Sequence, residues 1–297
     1  MQHKTALVTG GSAGIGKETV KALVAQGYEV LIAARDARKG QALVAQLQRE
    51  TPGARVDFIA CDLSEFGQVV NLAQTVQARW TRLDALVLNA GLFTPQLRCN
   101  SAGYEFMFAT THLGHFLLTH HLLPLVLTTP DARIVVTSSV AHWFGGGFDF
   151  DSLRNPSALS LLMLVPFRAY GRSKLANLLF VRELAQRVAG SSVKVNAFHP
   201  GAVQTEIWRD TPGLFNALIR PGLISEAQGA RTQIQLATSP AIKESGQYWV
   251  GGKVAFSSPA SRNAALARRL WQYSEQALGI QTFGRPELSE GSARRQA

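Results

Sequence analysis

Residues 5–16 read TALVTGGSAGIG: five strand-forming residues run straight into a turn holding four glycines in seven positions. A short β-branched run, a glycine turn and then the helical pattern of residues 17–25 open a βαβ unit. Glycines lack a Cβ, so the chain turns tightly and its backbone approaches a ligand, while the N–H groups opening the next helix receive a pyrophosphate. Gly10, Ser12, Gly14, Ile15 and Gly16 are the candidate contacts, and their GxxxGxG spacing is a variant of the dinucleotide fingerprint. The same residues spell GxSxG, with Ser12 as a nucleophile on a strand-to-helix elbow. Such an elbow normally follows several strands, whereas this turn follows the first, and no HGGG-like oxyanion segment precedes it. Dinucleotide binding is the preferred reading, and serine hydrolysis is the alternative.

Outward from this turn, short apolar runs recur at 5–9, 29–34, 55–60, 85–88, 133–137, 193–198 and 253–256. Between them, residues 17–25, 38–50, 66–80, 104–127 and 170–188 have helical spacing. The alternation predicts an α/β, Rossmann-type, doubly wound parallel sheet of about seven strands with helices on both faces. Segments 145–167 and 205–226 break the rhythm and read as insertions covering a substrate. Residues 1–286 are expected to form a single dinucleotide-binding and catalytic domain, and 287–297 a disordered tail.

Composition narrows the function. Charged residues are 17% of the 297, below the roughly 25% of an average domain, which argues for an extensive core. The net charge of +10 comes from dispersed Lys and Arg, with no basic run longer than pairs such as Arg38-Lys39, so a nucleic-acid partner is not expected. Cys61 and Cys99 form neither a disulfide framework nor a CxxC motif. Residues 2–4 lead directly into the first strand without room for a signal peptide, and no apolar stretch is long enough for a transmembrane anchor. A cytoplasmic location follows as the expectation.

The second strand run ends at Ala34-Arg35, where an NAD binder places an acid for the ribose 2′-hydroxyl and an NADP binder a cation for the 2′-phosphate. Arg35, with Lys17 as a second cation, points to NADP(H). Asp36 lies beyond the strand and is read as the cap of the following helix.

Five motifs in order, TGGSAGIG, Asn89-Ala90-Gly91, Ser138-Ser139, Tyr170-Gly171-Arg172-Ser173-Lys174 and His199-Pro200-Gly201, resemble the short-chain dehydrogenase/reductase family over about residues 4–280. GIGKET, AARDARKG, HLGHFLLTH, SKLANLLF and ARRLW are similar to its retinol-dehydrogenase-like branch, which commonly uses NADP on hydrophobic carbonyls or alcohols. The resemblance implies that Tyr170 is the general acid/base, that Lys174 supports it and holds the nicotinamide ribose, and that Ser139 orients the carbonyl. It also places Asp62 and Leu63 by the adenine, Asn89, Ala90 and Gly91 along the cofactor, and Pro200, Gly201, Val203 and Thr205 around the nicotinamide.

Hydride transfer to a carbonyl builds alkoxide charge that a proton donor must quench. Bringing a phenol from about 10 to near 7 takes roughly 4 kcal/mol, which a unit charge about 4 Å away supplies at an effective dielectric near 20. Lys174, one helical turn beyond Tyr170, is expected to draw the phenol down by that route. Three positions depart from the family: Thr111 replaces the helix Asn that holds a relay water, Leu88 the first Asn of NNAG, and Val136 the Asn before the serine pair. A modified relay through Thr111 is the expectation. His112 and His115, spaced i,i+3, read as core packing and not as metal ligands.

The expected activity is therefore NADP(H)-dependent hydride transfer with a hydrophobic ketone, aldehyde or alcohol. A catalytically weakened dinucleotide-binding regulator or scaffold, and a C=C reductase on the same fold, are the alternatives. Homodimer and homotetramer both remain open.

Overall fold

The computed structural model describes residues 3–146, 148–154, 164–203 and 223–284. β1 (Thr5–Thr9), β2 (Glu29–Ala34), β3 (Val56–Ala60), β4 (Ala85–Leu88), β5 (Arg133–Thr137), β6 (Lys194–His199), β7 (Tyr248–Val250) and β8 (Lys253–Val254) form one sheet in the order β3-β2-β1-β4-β5-β6-β7-β8. All pairs are parallel except β7 with β8. β1, β4 and β5 are buried along their whole length, as continuous apolar runs covered on both faces should be. Alternation divides them between two cores: Leu7, Leu86 and Ile134 face one layer, and Ala6, Val87 and Val135 the other.

The first layer is covered by α3 (Phe66–Arg79), α5 (Gly114–Leu127) and α6 (Leu164–Arg187), and the second by α1 (Gly14–Ala25), α2 (Ala37–Glu50) and α7 (Glu226–Thr238). α8 (Ala264–Leu278) packs on the outside of α6. From β1 the chain winds out through β2 and β3, then returns to the other side of β1 at β4. That reversal opens a crevice at the carboxyl ends of the strands.

Several expected boundaries change. The run at 253–256 is not the seventh parallel strand: buried Tyr248 and Trp249 form it, and a left-handed Gly251-Gly252 pair (φ 58° and 78°) turns the chain back into the short exposed β8. α7 and α8 were not anticipated. Their caps are nevertheless in the sequence, as a Ser225/Gln228 capping box for α7 and Asn263 before and Gly279 after α8. The helix expected over 104–127 is interrupted: α4 (Phe106–Phe108) passes through a π turn, Ala109–Leu113, before α5 begins.

In segment 145–167, a 3₁₀ turn at Asp151–Leu153 buries Leu153 beside Phe150, and the closing residues already belong to α6. Glu226, the end of the second segment, opens α7. Residues 155–163, 204–222 and the expected tail at 287–297 lie outside the described residues. Among the described residues no helix is long and apolar enough to cross a membrane.

Candidate active site

A cavity of about 930 Å³ occupies the crevice, within the size range of small-molecule sites. The glycine turn forms its floor, with Gly10, Ser12, Gly14, Ile15 and Gly16 all on its lining. Gly10 and Gly14 have positive φ (64° and 58°), and a Cβ on Gly16 would lie 2.3 Å from the Gly10 carbonyl oxygen, so the turn closes on itself only without side chains there. Asn89 holds it closed, its Nδ2 donating to the carbonyls of Thr9 (2.9 Å) and Gly10 (3.2 Å). Ala13, the N-cap of α1, offers no side-chain cap, and the first turn carries no acid. The N–H groups there remain available to an anion from the cavity.

Arg35 lines the cavity, but Lys17 does not, contrary to expectation. Its ammonium lies 3.6 Å from Glu226 and 3.9 Å from Glu18, drawn to the acid that opens α7. Lys39 lines the cavity instead. Asp36 caps α2, its Oδ1 accepting from the Lys39 N–H at 3.0 Å. Asp62 is likewise absent from the lining, because its carboxylate accepts from the backbone and hydroxyl of Ser64 (2.9 and 2.7 Å), while its neighbours Cys61 and Leu63 face the cavity. Ala90 and Gly91 lie on one wall, and Pro200, Gly201 and Val203 also line the site. Thr205 lies outside the described residues.

Tyr170, Lys174 and Ser139 meet at the far end of the cavity. Tyr170 and Lys174 are one turn apart on α6 and both buried, at 7% and 2% exposure. Lys174 Nζ sits 5.5 Å from the Tyr170 ring centroid and donates to the Thr137 carbonyl at 3.3 Å. Ser139 follows β5, and its hydroxyl caps a 3₁₀ turn, Val140–Phe144, by accepting from the Ala141 N–H at 3.2 Å. Ser138 points elsewhere, donating to the Lys174 carbonyl at 2.9 Å.

Burial pushes the Tyr170 phenol upward, opposed in part by a hydrogen bond with Ser139, and burial lowers the Lys174 ammonium to about 8. Burial thus acts against the downward pull expected from Lys174, whose Nζ is bonded to a carbonyl.

Thr111 lies in the π turn, completely buried, and its hydroxyl has no hydrogen-bond partner. The open side of Gly91, where a Cβ would stand, is 3.0 Å from Lys174 Nζ and 3.7 Å from Thr111 Oγ1. Both groups thus lie on the same side of Gly91. His112 bonds Ser274 through Nε2 at 2.8 Å, and His115 bridges the Thr111 carbonyl (Nδ1, 3.0 Å) and Thr9 Oγ1 (Nε2, 2.9 Å).

Three residues here were missed by sequence reasoning. Asn177, one turn beyond Lys174, donates to the same Thr137 carbonyl at 3.0 Å, and the i,i+3 spacing was the available signal. Gln233 of α7 approaches Asn89 and Thr137 at 3.3 and 3.4 Å, a long-range pairing without a local sequence signal. His142, three residues past Ser139, bonds the Ser139 backbone.

A family model described as short chain dehydrogenase matches residues 4–147. Retinol dehydrogenase 12 of Mus musculus is 37% identical over 281 residues, covering 94% of this chain and 87% of its own length. Dehydrogenase/reductase SDR family member 13 of Bos taurus is 37% identical over 288 residues, covering 94% and 74%. Among solved structures, an uncharacterized protein from Mycobacterium paratuberculosis superposes with a TM-score of 0.74 at 30% identity over 93% of both chains. The Pseudomonas aeruginosa RhlG/NADP active-site complex gives 0.65 at 28% identity, over 82% of this chain and 93% of the other.

Proposed function

The chain belongs to the short-chain dehydrogenase/reductase family, and from that premise we propose that it reduces hydrophobic ketones or aldehydes with NADPH, and oxidises the corresponding alcohols in reverse. The observation that carries this reading is the convergence of Tyr170, Lys174 and Ser139 at one end of a cavity floored by the glycine turn. Bound along the glycine turn, NADPH would supply the hydride that the carbonyl carbon takes up. Tyr170 gives its phenolic proton to the carbonyl oxygen, and Ser139 orients that oxygen by hydrogen bonding. A phenol kept neutral by burial is the acid form that reduction requires. Phe93 and Phe167, whose rings lie 4.9 Å apart beside Tyr170, give this end its apolar character. The reading includes a single catalytic domain and a cytoplasmic location suited to two free cysteines.

Arg35 and Lys39 both line the cavity, and their charges support a 2′-phosphate partner, so NADPH should exceed NADH in kcat/KM by at least roughly tenfold, the value of one charge-assisted contact. Arg35→Ala should reduce that ratio. Equal use of both cofactors by the wild type, or a ratio untouched by the substitution, would refute NADPH preference.

The Thr111 hydroxyl, buried without a partner and on the same side of Gly91 as Lys174 Nζ, supports a relay in which a bridging water returns protons toward Tyr170. An Asn side chain offers that water both donor and acceptor. Thr111→Asn should therefore raise kcat and weaken its solvent isotope effect where proton delivery limits the rate. A lower kcat would show instead that Thr111 belongs to a locally rebuilt site.

A further inference from the structure

Ser139 is held through its backbone as well as its side chain. His142 Nδ1 lies 2.6 Å from the Ser139 carbonyl oxygen, and Nε2 lies 3.0 Å from the Ser258 backbone nitrogen. A backbone N–H only donates, so Nε2 is the acceptor, and a carbonyl only accepts, so Nδ1 carries the proton. The two partners admit one neutral tautomer. The ring is 1% exposed and edge-on to Tyr248 at 5.1 Å, with Arg182 of α6 and His199 of β6 as the charged or titratable groups facing it.

Neither anchor of the imidazole is loose. Ser261 donates to the Ser258 carbonyl at 2.7 Å and pairs with Ser257 Oγ at 2.8 Å, and Arg182 of α6 donates to Ser257 at 3.1 Å. α6 also meets the 3₁₀ turn directly: a Cβ on Gly171, the residue after Tyr170, would stand 2.7 Å from the Ala141 carbonyl oxygen and 2.9 Å from the Gly145 nitrogen. The turn that starts at Ser139 is thus pinned to the helix of Tyr170 by backbone contact at Gly171, and through His142 to a serine cluster tied to the same helix.

We propose that His142 is a positioning residue: by donating from Nδ1 to the Ser139 carbonyl and accepting at Nε2 from Ser258, it keeps the Ser139 hydroxyl in register with Tyr170. The inference rests on the catalytic reading of Ser139 and Tyr170. Without the bond, only the His142 backbone N–H, at 3.1 Å, still holds the Ser139 carbonyl, so the peptide tilts more readily and the hydroxyl shifts with it, and displacements near 1 Å cost as much as about 10²-fold in rate.

Two substitutions separate this role from packing. The amide nitrogen of Asn occupies the place of Nδ1, so His142→Asn retains the bond to Ser139 and loses the one to Ser258. The amide oxygen of Gln reaches the place of Nε2, so His142→Gln does the reverse. Each variant loses one buried bond, and similar drops in melting temperature are expected. His142→Gln should lower kcat at least roughly tenfold, the equivalent of one hydrogen bond at the transition state, with NADPH affinity unchanged, while His142→Asn stays near wild type.

Equal losses in both variants, or no loss in either, would overturn the proposal. The ¹⁵N-imidazole spectrum of the wild type reads the tautomer independently of turnover, and a protonated Nε2 at neutral pH overturns it as well. If Tyr170→Phe leaves turnover intact, the catalytic reading has failed, and the spectrum still decides how His142 is held.

Discussion

Tyr170→Phe is expected to lower kcat for carbonyl reduction by roughly 10² to 10⁴-fold, the worth of a positioned general acid, while leaving NADPH binding nearly unchanged. The two effects separate because the ring and the hydroxyl do different work. The ring packs edge-on to Phe93 at 5.9 Å and is buried, so Phe fills the same volume and keeps the wall of the cavity. The hydroxyl is the acidic group set beside Ser139, and its loss leaves the developing alkoxide without a proton donor. Lys174→Ala should differ in kind, because it removes a fully buried cation from the carbonyl of Thr137 and weakens cofactor binding as well as turnover. Stopped-flow NADPH oxidation with the best carbonyl, together with fluorescence titration of NADPH, checks both variants. A Tyr170→Phe enzyme turning over within about threefold of wild type would refute the tyrosine mechanism.

The sheet was legible because its strands are buried on both faces. Residues 5–9, 30–34, 85–88 and 134–137 are uninterrupted apolar or β-branched runs, and each lies within a strand. At the sheet edge the signal fails: β7 is only Tyr248–Val250, held by two aromatic side chains, and a run-length reading passes over it in favour of the β-branched residues after the glycine pair. α7 and α8 escaped for another reason, since their apolar residues are spaced among Gln, Arg and Ser and only their caps mark them. The π turn around Thr111 has no sequence signature beyond its neighbourhood to the site, where such turns are frequent.

In the site, residues acting through local geometry could be read, and residues whose direction depends on a distant partner could not. The glycine turn, Ser139, Tyr170 and Lys174 converge because strand ends and one helical turn place them. Lys17 sits correctly in sequence for a phosphate, yet Glu226, more than two hundred residues away, claims its ammonium. Asp62 is turned away by Ser64, two residues on, through an Asx-type bond that competes with any ligand. For Tyr170 and Lys174, spacing alone shows the charge pair but not the desolvation of both partners, which depends on how much of the chain covers them.

The same desolvation predicts that the fold is acid-labile well above the carboxylate range. His112 and His115 are fully buried and lowered to about 3. For His115 the hydrogen-bond inventory gives the reason. Nδ1 donates to the Thr111 carbonyl, so Nε2 must accept from the Thr9 hydroxyl, whose oxygen already accepts the N–H groups of Asn89 and Ala90 at 2.9 and 3.1 Å. A second ring proton would face an oxygen with no lone pair left, near the Lys174 charge. His112 is boxed by Phe108, Phe116 and Phe180.

Because the folded values lie below the unfolded value near 6.5, the unfolded chain binds more protons, and stability present above that pH is lost as pH falls toward the folded values. At pH 5 each of these two histidines costs about 2 kcal/mol, against a net stability of roughly 5–15 kcal/mol for a typical domain. His120 and His199, lowered to about 4, act in the same direction. Carboxylates titrate mainly below this window, and Glu105, raised by burial, opposes the trend. Urea unfolding at pH 7.5 and 5.0 should therefore give a markedly smaller free energy at the lower pH. His112→Gln, which preserves an acceptor or donor toward Ser274, should narrow the difference by about 2 kcal/mol, since one buried imidazole no longer resists protonation. Equal stability at the two pH values would mean that these histidines gain protons in the folded protein, and that the space around Thr111 is wetter than the packing of the π turn implies.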